Sequence, residues 1–199
     1  MLLGVVLLYV GAVLVINGIW LVGQARVANL KPAPAGKPAE ATAAHATFIE
    51  NREVAILNVF TGFIGVVAAV TLAVQGNRDE DLASIRGAGY ILLFAFTYLW
   101  VAYNQFANAG GHAFGWYCLF VAVTAVVAGL FTFSNADGND ASIYLAIDWF
   151  AWAILWFLFF LLLALERPIA RVTGWVAIVE GIGTSWVLAI LLLEDQLAF

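Results

Sequence analysis

Long apolar runs, separated by mostly short polar connections, dominate the chain. A membrane-spanning helix needs about 20 predominantly apolar residues in succession. Six segments meet that requirement, at residues 2–23, 54–75, 87–107, 113–133, 147–165 and 173–193. The pattern predicts an all-α integral membrane protein with six transmembrane helices. An even number of spans places both termini on the same side of the bilayer.

The composition supports a membrane protein and excludes several classes of function. Of the 199 residues, 64% are hydrophobic and 11% are charged, against roughly 45–50% and about 25% in soluble domains. The net charge of -5 provides no basic surface for nucleic acid. Cys118 is the only cysteine, and His45 and His112 lie far apart. We therefore expect no disulfide, no metal or haem site, no cofactor and no enzymatic activity.

The basic residues predict the orientation, because connections on the cytoplasmic side carry an excess of Lys and Arg. Six of the eight basic residues lie in the first and fifth connections, namely Arg26, Lys31, Lys37, Arg52, Arg167 and Arg171. The first, third and fifth connections share one side of the membrane. We expect that side to be cytoplasmic and both termini to lie on the outer side.

Residues 24–53 form the longest connection and contain the segment KPAPAGKPAEATAAHA. This Pro/Ala-rich composition is typical of a flexible linker. We interpret it as a tether, with docking of a cytoplasmic partner as the alternative. The other connections are short, so residues 1–199 form one domain of antiparallel helices. A weak repeat between residues 59–70 and 119–130 favours three helical hairpins around an axis.

Two aromatic surfaces stand out in the predicted helices. Trp149, Trp152 and Trp156 share one face of the fifth helix, because their spacing is three and four residues. Phe94 and Tyr98 share a face of the third helix. Such residues pack helices together, or they form the walls of a narrow path for a small, flat, polar molecule. A narrow slot between the two aromatic surfaces would exclude ions, because water leaves an apolar constriction, and it would still admit a neutral amide.

Polar side chains at membrane depth are functional hypotheses. Glu180 is predicted to be the only acid far from a helix end, so it must face a partner, face water or be protonated. It is either a buried hydrogen-bonded acid or a carboxyl group facing the path. Asn17, Asn58 and Asn104 also lie within spans. Asparagines at such positions commonly form hydrogen bonds between helices.

Five segments of the chain resemble the bacterial urea/amide channel family, the AmiS/UreI type. They are LLYVGAVLVINGIW (7–20), LLFAFTYLWVAYN (92–104), GWYCLFVAV (115–123), DWFAWAILW (148–156) and WVAIVEGIGTSW (175–186). These segments cover five of the six predicted spans in order. The resemblance implies a six-helix protomer made of three hairpins, with its own pore, assembled as a hexameric ring in the bacterial inner membrane.

The resemblance also implies a function and a set of residues. Family members pass urea or short aliphatic amides inward to a cytoplasmic urease or amidase. By correspondence, the constriction consists of Trp152, Trp156, Phe94 and Tyr98, the pore carboxylate is Glu180, and Leu14 and Asn17 line the first helix. With Trp149 of the tryptophan face, these are the predicted pore or permeant-binding residues.

The chain departs from the acid-gated members of the family. Those members carry histidines in their outward connections, whereas the outward connections here, 76–86 and 134–147, contain none. Histidine is the natural switch near neutral pH, so we expect little pH dependence. Two alternatives to a channel remain open. One is a proton-coupled amide symporter that uses Glu180, and the other is a membrane docking partner for a cytoplasmic amidase or urease.

Overall fold

The structure, a computed structural model, describes residues 2–28 and 49–199. Six helices in these ranges are long and apolar enough to cross a membrane: α1 (Leu2–Ala28), α2 (Asn51–Arg78), α3 (Leu82–Ala107), α4 (His112–Ser134), α5 (Asp140–Leu163) and α6 (Ala170–Leu193). The described residues contain no β-strand. The predicted all-α class with six membrane helices is confirmed.

The helices extend beyond the apolar runs that predicted them. α1 continues to Ala28 and α2 begins at Asn51, so both ends of the predicted linker are helical. The rest of that linker, residues 29–48, lies outside the described residues. α5 begins at Asp140, seven residues before the predicted start, because the Asn139 side chain caps it by accepting from the Ser142 N–H at 2.8 Å.

The helices pack as three antiparallel pairs. α2 pairs with α3, α4 pairs with α5, and the last helix, α6, pairs with the first, α1. The two segments of the weak sequence repeat, 59–70 and 119–130, lie in the first helix of the α2–α3 and α4–α5 hairpins. The third pair has the same antiparallel arrangement but joins the two ends of the described chain.

Glycines allow α1 and α6 to approach each other closely. On α1, Gly11 and Gly18 lie seven residues apart, and on α6, Gly174 and Gly181 do the same. A Cβ atom added at Gly18 would lie 2.5 Å from the carbonyl oxygen of Gly174, and one added at Gly11 would lie 2.9 Å from that of Gly181. Small residues permit such close contact between membrane helices, so these glycines define the α1–α6 crossing.

A π-helical segment interrupts α6. The helix is α-helical over Ala170–Glu180, π-helical over Gly181–Trp186 and α-helical again over Val187–Leu193. Short π-helical turns of this kind occur frequently at functional sites. The segment packs against α1 and also contacts α5, so its buried face, formed by Gly181, Thr184 and Ser185, lies inside the bundle.

The outer faces of α2, α4 and α6 carry large exposed apolar side chains, including Phe60, Phe63, Phe120, Phe131, Trp175 and Val179. A soluble monomer rarely exposes contiguous apolar surface on this scale. These faces are suited to contact with lipid or with other subunits.

We expect Gly18→Val to destabilise the bundle by about 1–3 kcal/mol, because the added side chain meets backbone that cannot move aside. The measurement is thermal unfolding of the purified protein in detergent. Gly89→Ala is the control, since a Cβ atom there meets nothing within 4 Å. Equal midpoints for the two variants would contradict the close crossing of α1 and α6.

Candidate functional site

The helices surround a cavity of about 530 Å³, a volume within the range of about 300–1,000 Å³ that is usual for small-molecule sites. Toward the end of the bundle that carries the second and fourth connections, its wall includes Ser84, Arg86, Asn135, Ser142 and Phe199. Its opposite, inner end is formed by Leu14, Thr61, Tyr98, Leu155 and Trp156. The cavity therefore runs from one end of the bundle toward its middle.

Aromatic rings from α3 and α5 meet across this cavity. The ring centroid of Phe94 lies 5.5 Å from that of Trp149, 5.5 Å from that of Trp152 and 5.8 Å from that of Trp156. Trp149 and Trp152 meet edge to face at 5.2 Å. These separations lie in the range of favourable aromatic pairs. The structure thus brings together the two aromatic surfaces that the sequence pattern indicated.

The aromatic wall also presents hydrogen-bond donors. The indole N–H of Trp152 donates to the Thr184 hydroxyl at 2.9 Å. The indole N–H groups of Trp149 and Trp156 and the hydroxyl of Tyr98 have no partner among the described residues. These three groups can donate to the carbonyl oxygen of a small molecule in the cavity.

Asp81 lies beside the outer rim of the cavity, at the N-cap of α3. Its carboxylate accepts from the Ser84 hydroxyl at 2.5 Å and from the backbone N–H groups of Ala83 and Ser84 at 2.9 and 3.2 Å. These hydrogen bonds, the Ser84 hydroxyl first among them, hold the pKa of Asp81 below its usual value. Asp81 therefore remains ionised in mild acid and does not sense pH in that range.

Six of the eight predicted site residues line this cavity, namely Leu14, Phe94, Tyr98, Trp149, Trp152 and Trp156. The other two, Asn17 and Glu180, lie outside its lining. Asn17 pairs with Asn58 of α2 through two side-chain hydrogen bonds. Glu180 is 8% exposed and lies on α6 directly before the π-helical segment.

Asp148 is a second buried acid that the sequence analysis missed. It is 1% exposed and lies well inside α5, which begins at Asp140. The expectation that Glu180 is the only acid far from a helix end is therefore wrong. One oxygen of Asp148, Oδ2, and one of Glu180, Oε2, lack a hydrogen-bond partner among the described residues.

Asp148 lies on the face of α5 that contacts the π-helical segment. Tyr144, Asp148 and Trp152 are spaced four residues apart, so they share that face. The Tyr144 hydroxyl donates to the Gly183 carbonyl at 2.5 Å, and Trp152 donates to Thr184. Asp148 lies between these two contacts. The spacing of four was visible in the sequence and was the available signal that Asp148 faces inward with Trp152.

We expect Asp148→Asn to raise the stability of the protein by roughly 1 kcal/mol, because a neutral amide of the same shape removes one of two poorly paired buried acids. Thermal unfolding in detergent at neutral pH measures the change. Asp137→Asn, on an exposed connection, is the matched control and should change little. A marked loss of stability in Asp148→Asn alone would show that the carboxylate has a favourable partner.

Comparison with known protein sequences gives matches over almost the whole chain. Residues 42–196 match a family model described as AmiS/UreI family transporter. A putative amidate substrates transporter protein of Mycolicibacterium smegmatis is 36% identical over 194 residues, covering 97% of this chain and 77% of that protein. An acid-activated urea channel of Helicobacter pylori is 32% identical over 212 residues, covering 96% of each.

Solved structures show the same fold. The crystal structure of the urea channel from Helicobacter pylori matches with a TM-score of 0.77 and 31% identity, over 100% of both chains. A cryo-EM structure of the Helicobacter pylori urea channel in a closed state gives the same TM-score and identity, over 98% of this chain and 100% of that one. The relatives named in these comparisons are transporters or channels, not enzymes.

Proposed function

This chain belongs to the AmiS/UreI transporter family, and we propose that it is a channel for urea or short aliphatic amides. Its membrane-length helices and its family make it a multi-pass membrane transport protein rather than an enzyme. The observation that carries the proposal is the cavity whose wall includes Phe94 and three tryptophans. The permeant moves down its gradient into the cytoplasm without chemical change.

The chemistry of this cavity suits an uncharged planar solute. Its lining is mainly apolar, so an ion that entered it would lose hydration without compensation. Urea and acetamide are flat and neutral, and they fit between aromatic faces. Their carbonyl oxygens can accept from the Tyr98 hydroxyl and from the indole N–H groups of Trp149 and Trp156.

We assign the constriction to the inner end of the cavity, where Leu14, Tyr98 and Trp156 lie. Phe94 contacts all three tryptophans, so it sets the distance between α3 and the tryptophan face of α5. Trp152 is held in place by its hydrogen bond to Thr184. Glu180 supports this arrangement from the neighbouring helix, since its backbone carbonyl accepts from the same Thr184 hydroxyl at 2.6 Å.

The proposal includes an assembly and an orientation. The exposed apolar faces of α2, α4 and α6 provide contacts for lipid and for a hexameric ring of subunits. The protein lies in the bacterial inner membrane with both termini on the periplasmic side, because basic residues concentrate in the first and fifth connections. Segment 24–53 is then cytoplasmic, on the side where a urease or amidase would consume the permeant.

A second candidate function is a proton-coupled amide symporter that uses Glu180. The observation that favours it is the pair of buried carboxyl groups, Asp148 and Glu180, each with an unpartnered oxygen. Buried acids of this kind occur in the proton relays of membrane transporters. A symporter would accumulate its solute against a gradient, which a channel does not do.

We expect Trp156→Ala to change selectivity without preventing assembly. Removing an indole from the inner end of the cavity widens it, so flux of a bulkier amide such as butyramide should rise several-fold relative to acetamide. Stopped-flow measurements on proteoliposomes give this ratio. Trp175→Ala, at an exposed position, is the control. An unchanged ratio in Trp156→Ala would contradict the assignment of the constriction.

A second experiment separates the channel from the symporter. Vesicles containing the wild-type protein or Glu180→Gln are given labelled acetamide and an inward proton gradient, with and without an uncoupler. A channel equilibrates acetamide in every case. Accumulation above the outside concentration that is abolished by the uncoupler, and is absent in Glu180→Gln, would establish the symporter instead.

A further inference from the structure

Arg86 is the only residue with a charged side chain among the described residues that line the cavity. It lies near the start of α3, at the outer end of the bundle. The cavity-lining residues Arg86, Tyr90, Phe94 and Tyr98 follow one another at a spacing of four, so they share one face of α3. A solute that enters from the outer end therefore passes the charge of Arg86 before it reaches the aromatic wall.

The guanidinium group of Arg86 has no close partner that would neutralise it. Arg86 is exposed, and it forms no hydrogen bond or ion pair with another described residue. The nearest acid in the sequence, Asp81, instead accepts hydrogen bonds from Ser84 and from two backbone N–H groups. The pKa of Asp81 is lowered first by the Ser84 hydroxyl and least by the charge of Arg86. A Cβ atom added at Gly87 would meet nothing within 4 Å, so the space beside Arg86 is open.

The aromatic wall by itself would attract organic cations. A cation that lies over the face of an aromatic ring is stabilised by the ring, most strongly by tryptophan, and this wall includes Trp149, Trp152 and Trp156. Guanidinium and amidinium ions have the planar shape of urea and acetamide, and a delocalised charge of this kind is weakly hydrated. An apolar constriction that excludes strongly hydrated ions therefore excludes these cations poorly. Shape does not separate them from the neutral solutes.

The charges around the outer end of the bundle add to this attraction. The acidic side chains at this end, among the described residues, are Asp79, Glu80, Asp81, Asp137, Asp140, Glu194 and Asp195. The basic side chains there are those of Arg78 and Arg86. A surface with an excess of one charge raises the local concentration of solutes of the opposite charge. Cations therefore accumulate at this end, and a positive group at the entrance of the cavity is needed to exclude them.

We propose that Arg86 is the specificity-determining residue that separates neutral amides from planar organic cations. Its positive charge repels amidinium, guanidinium and ammonium ions at the entrance and leaves uncharged amides and ureas free to pass. Fixed positive groups in other pores exclude cations in the same way. This inference rests on the proposed function, because it concerns which solutes reach the constriction.

The test compares acetamide with acetamidinium, which have the same planar shape and differ by one charge. Each is added outside proteoliposomes as a competitor of urea entry, with sodium chloride holding the ionic strength constant. The quantity compared is the half-inhibiting concentration of acetamidinium divided by that of acetamide. A general change in fold or flux cancels in this ratio, whereas a change in electrostatic repulsion does not.

The ratio is measured for the wild type, Arg86→Gln, Arg86→Lys and Arg78→Gln. Arg78→Gln is the matched control, because Arg78 is an exposed arginine at the same end that does not line the cavity. We expect Arg86→Gln to lower the ratio about fivefold at low ionic strength, the order of effect of removing one unit charge from the entrance. The difference should shrink at about 1 M salt, where the Debye length is about 3 Å. Arg86→Lys and Arg78→Gln should keep the wild-type ratio.

A wild-type ratio in Arg86→Gln, or an equal fall in Arg78→Gln, would overturn the role of Arg86 and leave the channel intact. Titration of tryptophan fluorescence in the purified proteins with the same two solutes gives a ratio of affinities that does not require transport. Absence of urea entry in the wild type would contradict the proposed function, and this titration would still decide the inference. Tighter binding of acetamidinium relative to acetamide in Arg86→Gln would support it, and an unchanged ratio of affinities would overturn it.

Discussion

Packing of Phe94 against three tryptophans is the interaction on which the cavity depends. α3 and α5 are not among the closely packed helix pairs, and aromatic rings span the space between them. This arrangement creates a lined cavity where direct helix contact would leave none. Aromatic pairs in a favourable geometry stabilise a fold by more than the burial of their surface area alone. The side chains that form the cavity wall therefore also occupy the space between α3 and α5.

The rest of the bundle holds these rings in place. The glycine contacts between α1 and α6 bring the first and last helices together, and this pairing positions Leu14 on the first-helix side of the cavity. The π-helical segment of α6 then presents Thr184 to Trp152 and the Gly183 carbonyl to Tyr144. Two hydrogen bonds thus attach the tryptophan-bearing helix to the α1–α6 pair. An irregular backbone inside a membrane protein is tolerated where other protein groups form hydrogen bonds with its free N–H and C=O groups. The Tyr144 hydroxyl does this for the Gly183 carbonyl.

Hydropathy and spacing predicted the helix count and both aromatic surfaces, because each is a local property of one helix. The start of α5 was predicted too late, since its polar first turns lie before the apolar run, and this error hid Asp148 as a buried residue. The Asn17–Asn58 pair joins residues 41 positions apart, and no spacing rule reveals such a partner. By contrast, the glycines seven residues apart on α1 and α6 were a readable signal of close packing. The orientation and the roles of the site residues remain predictions.

Downhill solute flux in proteoliposomes is the direct test for a passive channel. Stopped-flow entry of urea and acetamide is recorded at about pH 5 and about pH 7.5, with no ion gradient, against empty vesicles of the same lipid. We expect fast entry of at least one solute at both pH values, because histidine is absent from the second and fourth connections, residues 76–86 and 134–147, and Asp81 is held ionised by its hydrogen bonds. Entry no faster than through empty vesicles for both solutes would contradict the channel.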